Sequence, residues 1–160
     1  HLTRCRPVNL PKHRHHPTAT KEKTMSYPYS RRFISSPYGW RRHPVTGAKS
    51  FHGGVDFAVP SGTAITAFAA GKVVDKRHTD ERGNTVTVSY KVGSKTIKMK
   101  YWHMRTPSPL QRGDKVIENQ LIGIVGDTGT AALGDHLHLE IWVDGQAVDP
   151  LAWLDAKDEE

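Results

Sequence analysis

One cysteine, Cys5, stands in a chain of 160 residues. It cannot form an intramolecular disulfide, and no thiolate metal site can be built on it. The chain also lacks any apolar run of 18 residues, so nothing in it reads as a membrane-spanning helix. The N-terminus is basic, but no apolar h-region follows, so no signal peptide is visible. Hydrophobic residues make up only 36%, while 14 Gly and 10 Pro mark many turns. That balance favours one β-rich domain of short strands around a single core over a helical bundle.

Acidic residues are scarce at one end. Residues 1–42 hold ten Lys/Arg against Glu22, a net +9. The remainder holds 13 Lys/Arg against 15 Asp/Glu, or −2, so the total of +7 comes from the N-terminal segment. Residues 1–26 mix Pro, Lys, Arg, His and Thr without periodicity and read as a basic, disordered segment. Such a segment suits anionic polymers, nucleic acid or wall teichoic acids. Its clustered His13, His15 and His16 are weak evidence for a metal site. Met25 is the expected natural start.

From Tyr27 to Trp40 the chain reads as extended loop with aromatic anchors. Strands are expected over Phe51–Val59, Thr63–Phe68, Gly71–Lys76, Thr85–Tyr90, Ile97–His103, Leu121–Val125 and His136–Val143, with a short uncertain one in Val116–Gln120. Gly93 and Asp144-Gly145 mark tight turns. Asp149–Lys157 reads as one or two helical turns before an acidic tip. Seven or eight short strands with little helix predict an antiparallel sandwich or open barrel over residues 27–155, with an acidic tail at 156–160.

His136-Leu137-His138-Leu139-Glu140 alternates, so a strand puts His136, His138 and Glu140 on one face and both leucines on the other. Two imidazoles on one strand face can bind or flank a metal. His52-Gly53-Gly54-Val55-Asp56 supplies a third histidine and a carboxylate four apart, which a strand would place on the same face, with glycines that leave that face open for close approach. One histidine from 136/138 joined to His52 and Asp56 makes a His₂Asp set that suits Zn²⁺ and leaves a position for water, the pattern of a catalytic zinc site. If His138 ligates, His136 and His103, which follows Tyr101-Trp102, are left to move a proton or steady an oxyanion. Glu140 either orients a ligand histidine or makes a surface ion pair. Each motif alone is weak; their coincidence in one small β-domain carries the weight.

Arg42-His43-Pro44-Val45-Thr46-Gly47, Phe51-His52-Gly53-Gly54-Val55-Asp56-Phe57, Gly83-Asn84-Thr85-Val86, Tyr101-Trp102-His103-Met104 and Gly126-Asp127-Thr128-Gly129 leading into His136–Glu140 occur in that order. Over about 35–154 the chain thereby resembles the M23 (lysostaphin/LytM-like) zinc metallopeptidases, which cut peptide bonds in bacterial peptidoglycan. The resemblance implies a mainly antiparallel fold of the duplicated-hybrid-motif type with an open substrate groove. It implies His52, Asp56 and His138 as zinc ligands and His103 and His136 as the catalytic pair. Asn84 falls where the family lines the groove, and Tyr101 is placed there beside it. Met104 stands where leucine is usual and Leu139 where phenylalanine is frequent, both volume-similar changes.

The implied partner is peptidoglycan and the implied site of action the cell wall, extracellular or periplasmic, by a monomer. The missing h-region and the domain's start near Met25 resemble a phage endolysin catalytic domain, cytoplasmic before release. The rival reading is a non-catalytic relative that binds walls or activates other hydrolases. A metal-free phosphotransfer domain would give Asp56 no role.

Overall fold

A computed structural model describes residues 27–43 and 46–158. Cys5, the three tail histidines, Met25 and Pro44-Val45 lie outside them. The chain runs through a 3₁₀ turn (Arg31–Phe33), β1 (Ile34–Ser36), β2 (Gly39–Arg42), β3 (Lys49–His52), β4 (Val55–Phe57), β5 (Ala64–Thr66) and β6 (Gly71–Thr79). It continues through β7 (Gly83–Val92), β8 (Lys95–Met104), β9 (Lys115–Val116), β10 (Leu121–Ile124), β11 (Leu137–Val143), β12 (Gln146–Val148) and α1 (Pro150–Asp158).

Eight strands make one antiparallel sheet in the order β1-β4-β11-β8-β7-β6-β9, with β12 also on β11. Its middle is a hairpin of alternating residues. Val86, Val88 and Tyr90 of β7 lie opposite Tyr101, Met99 and Ile97 of β8, and all six are buried. The two-residue turn between them puts Gly93 at φ +62°, a conformation that glycine adopts without steric cost. Leu137, Leu139 and Ile141 of β11 and Val55 and Phe57 of β4 extend the same apolar face. The β5–β10 ribbon packs over it through Ile65 and Ile122, and α1 adds Leu154. Each such side chain contributes about 1.5–3 kcal/mol by leaving water, which commits this face to the interior and the other to chemistry.

The mainly antiparallel β fold is as expected, but the strands number twelve among the described residues instead of seven or eight. The expected Phe51–Val59 strand is two: β3 pairs with β2 in a separate ribbon, while β4 joins the main sheet. The Tyr27–Trp40 stretch contains β1 and the start of β2, where short aromatic-rich pieces without alternation concealed pairing to distant strands. β12 was concealed because it consists of three residues beyond the Asp144-Gly145 turn. The helix runs to Asp158, past the expected domain end at 155.

Candidate metal centre

Val55 and Phe57 are fully buried in the core, so Asp56 between them must face the other side of the sheet. There it lies directly opposite His138, which the burial of Leu137 and Leu139 turns to the same side. His52, the last residue of β3, arrives from the neighbouring ribbon. It shares this space with Asp56 through the chain's reversal at Gly53-Gly54, not through a shared strand face. A Cβ on Gly54 would sit 2.4 Å from the Leu139 carbonyl oxygen and 2.9 Å from the His138 ring. Glycine therefore lets β3–β4 close against β11. Gly54→Ala is expected to lower metal affinity about tenfold or more, because the blocking atom is backbone and the shift falls on ligand positions. Metal titration of the purified variant measures it.

The donor atoms converge. His138 Nδ1 lies 2.8 Å from Asp56 Oδ1, and His52 Nε2 lies 3.2 Å from both. Tetrahedral zinc with bonds near 2.0–2.1 Å spaces its ligand atoms by about 3.3 Å, so the set is close to the size the ion needs. His52, Asp56 and His138 are also the group of metal-capable side chains found among the described residues.

Proton placement strengthens the fit. His52 Nδ1 is 2.8 Å from the Pro37 carbonyl, His103 Nδ1 2.8 Å from that of Thr128, and His136 Nδ1 3.0 Å from that of Gly134. A carbonyl oxygen only accepts, so each of these nitrogens carries the ring proton and leaves Nε2 as a lone pair. His138 donates Nε2–H to Glu140 Oε2 at 3.1 Å, which leaves Nδ1 as its lone pair. The three nearest donors therefore present electron pairs to one another, an arrangement that calls for a cation between them. Protons shared between these same atoms would play the cation's part in its absence, and the titration directions show how strongly that positive charge is drawn in. Burial would raise the Asp56 carboxyl, but hydrogen bonds from His138 and His52 outweigh it and hold it well below the usual range. Burial would lower His138, but its bonds to Asp56 and Glu140 hold its pKa above the ordinary imidazole value.

The remaining histidines flank this set. His136 Nε2 is 3.8 Å from Asp56 Oδ1, and the His103 and His136 rings lie 4.8 Å apart. His103 owes its position to backbone conformation. Trp102 and His103 together oppose Thr85 in a bulge of the β7–β8 pairing, and His103 has φ +65°. Regular alternation would put Tyr101 and His103 on one face; the bulge separates them. This corrects the placement of Tyr101 in the groove. Its ring is core, with its hydroxyl 3.0 Å from that of Tyr90, and it lines a cavity of about 280 Å³ on the far side of the sheet. Trp102 occupies the open face instead, its ring stacked 4.2 Å from that of His138. Burial holds His103 below the ordinary imidazole pKa, so it is neutral near pH 7.

Asn84 is buried beside this bulge and does not line an open groove. It donates to the Met104 carbonyl at 3.0 Å, and its own N–H reaches Thr128 Oγ1 at 3.1 Å, bracing the loop whose carbonyl orients His103. A Cβ on Gly83, which has φ +66°, would meet the Thr128 backbone at 2.4 Å. That glycine was the one local sign of this close approach. Carbonyls of Pro37, Thr128 and Gly134 have no side-chain signature, so sequence reading could not assign them.

Glu140 braces the His138 ring and is not a surface ion pair. It is buried, accepts from His138 on one oxygen and from Trp142 Nε1 at 3.0 Å on the other. Glu140→Gln is expected to weaken metal binding by about 10–100-fold, the usual cost of losing a carboxylate behind a ligand histidine, with the fold's melting little changed. Competition with a zinc-sensitive dye reads the affinity directly.

The family profile described as Peptidase family M23 matches residues 50–150, which hold every one of these side chains. The chain belongs to peptidase family M23. It is 37% identical over 119 residues to the peptidoglycan DD-endopeptidase ShyA of Vibrio cholerae, covering 74% of this chain and 26% of that protein. A zinc-containing peptidase from Vibrio cholerae superposes with a TM-score of 0.67 at 32% identity, over 78% of this chain and 38% of the other. The lysostaphin catalytic domain from Staphylococcus simulans superposes with a TM-score of 0.64 at 28% identity, over 76% of this chain and 91% of that domain. The M23 chain spans about a quarter to a third of the length of the curated relatives it matches, 26% for ShyA.

Proposed function

We propose that this M23 domain is a zinc-dependent endopeptidase that hydrolyses peptide cross-links or stem peptides of bacterial peptidoglycan. The observation that carries the reading is the convergence of lone pairs from His52, Asp56 and His138, with two further histidines aimed at the same space. His52, Asp56 and His138 hold the ion. Bound Zn²⁺ supplies Lewis acidity, polarising a carbonyl and lowering the pKa of water from about 15.7 towards ~7.

The protein's own groups divide the remaining work. His136, with Nδ1–H spent on a carbonyl, accepts a proton from the attacking water at Nε2 and passes it to the leaving amine. His103, neutral with its own lone pair at Nε2, is a second acceptor for the water's proton, and only once protonated does it donate Nε2–H to the developing oxyanion. Glu140, Pro37 and Thr128 hold the three imidazoles they accept from in one tautomer and orientation. Presence of the whole set favours catalysis over a binding or activator role. The relative named a peptidoglycan DD-endopeptidase supports peptidoglycan as substrate and the cell wall, periplasmic or extracellular, as the place of action. Among the described residues no helix is long and apolar enough to cross a membrane.

The deciding experiment is digestion of purified peptidoglycans with different cross-bridges, with and without chelator, followed by mass analysis of fragments. Chelator-sensitive release of peptide-cleaved fragments is expected; intact walls in every metal-loaded arm overturn the reading. The basic residues 1–26 are proposed as an accessory to the catalytic unit at 27–155. Removing residues 1–24 is expected to leave hydrolysis of soluble fragments within about twofold, and to reduce the salt-sensitive retention on anionic walls that their net charge of +5 provides. A co-sedimentation assay at two ionic strengths separates these effects.

A further inference from the structure

Cross-strand register lays two rows of side chains across the open face. One row runs Asp56, His138, Trp102 and then, past the bulge, Thr85 and Arg77. The next runs Glu140, Lys100, Thr87 and Asp75. Between the rows, beyond Trp102, lies a cleft of about 120 Å³ with Thr85 and Thr87 in its lining and Arg77, Arg82 and Lys100 around it. It is thus continuous with the metal centre through the indole stacked on His138.

The cleft is strongly cationic. Asp75 is its one acid and is committed to Arg77 at 2.8 Å. Arg82 and Lys100 have no salt bridge among the described residues. Arg82 lies 4.4 Å over the Trp102 ring, and Lys100 4.5 Å over the Trp142 ring. A ring face holds a cation in place without using its N–H donors, which stay available to an anion. Glu140, opposite Lys100 in the strand register, spends its two oxygens on His138 and Trp142. The volume suits a carboxylate and little more.

We infer that this cleft is a carboxylate-recognising subsite, and that the enzyme selects peptides with a free carboxylate near the scissile bond. The inference rests on the endopeptidase reading and deepens it. Strands lie about 4.8 Å apart, so the cleft, one to two strands beyond β8, is about 10 Å from His138. An extended peptide covers that distance in about three residues. A neutral bridge peptide gains nothing from Arg82 or Lys100, whereas an acidic stem peptide gains charge-assisted hydrogen bonds.

The test uses two synthetic cross-linked stem-peptide dimers, identical except that the carboxylates within about three residues of the scissile bond are free in one and amidated in the other. The zinc-loaded wild type is expected to prefer the free acid by about tenfold or more in kcat/KM, mainly through KM, with the preference falling as salt rises. Arg82→Gln and Lys100→Gln are each expected to cut that ratio by about three- to tenfold, and the double variant to bring it near one. Zinc content and melting of each variant report whether the centre is intact, and the ratio is read within each variant, so a general loss of activity does not mimic the result. Equal cleavage of both dimers by the wild type overturns the inference and leaves the endopeptidase reading standing. So does a preference that survives in the double variant. Failure of the zinc-loaded wild type to cut either dimer overturns both.

Discussion

His138→Ala is expected to abolish both zinc retention and peptidoglycan cleavage, lowering kcat/KM by about a thousandfold or more, equivalent to roughly 4 kcal/mol of transition-state stabilisation. The size follows from three losses at one residue. Nδ1 is one of the three proposed ligand atoms, which lie 2.8–3.2 Å from one another. The imidazole also bridges Asp56 to Glu140, so its removal leaves a partly buried and a buried carboxylate with less compensation. Finally, Trp102 loses the ring it stacks on. Elemental analysis after gel filtration and turnover of a soluble cross-linked dimer make two independent readouts. A variant with full metal content and wild-type turnover would remove the basis of the proposed site.

Much of this centre was legible because β-structure has a period of two. Alternation in 136–140 sorted histidines from leucines, and burial of Leu137 and Leu139 beside His138 follows that sorting. His52 and Asp56 also meet, but for a different reason than spacing on one strand. Gly53-Gly54 ends one pairing and starts another, a change that depends on what β3 and β4 find in three dimensions. His103 shows the limit from the other side. Period-two reading keeps it with Tyr101, and only the bulge against Thr85, with its left-handed backbone, brings the imidazole round to His136. The same bulge sends Tyr101 to the core and exposes Trp102. The carbonyls that set the histidine tautomers are backbone groups, invisible in residue types. The short strands β1, β2 and β12 were likewise hidden, since each is stabilised by a neighbour far away in the chain or across a tight turn rather than by its own pattern.

The second large effect separates chemistry from metal binding. His136→Ala is expected to lower kcat by about 10²–10⁴-fold while zinc stays bound near one equivalent, because its Nε2 faces the donor cluster from 3.8 Å without belonging to it. His103 needs a more careful substitution. At φ +65° any residue with a Cβ carries backbone strain of about 1–2 kcal/mol, and an alanine, lacking the imidazole's bond to Thr128, would let the bulge relax. Asparagine tolerates this conformation, so His103→Asn removes the imidazole and retains the backbone. It too is expected to lose about 10²–10⁴ in kcat with metal content unchanged. If the two histidines act on the same proton transfer, the double variant costs little more than the worse single one. Strictly multiplicative losses would instead assign them to separate steps, and loss of zinc in either single variant would move that residue from the reaction to the ligand set.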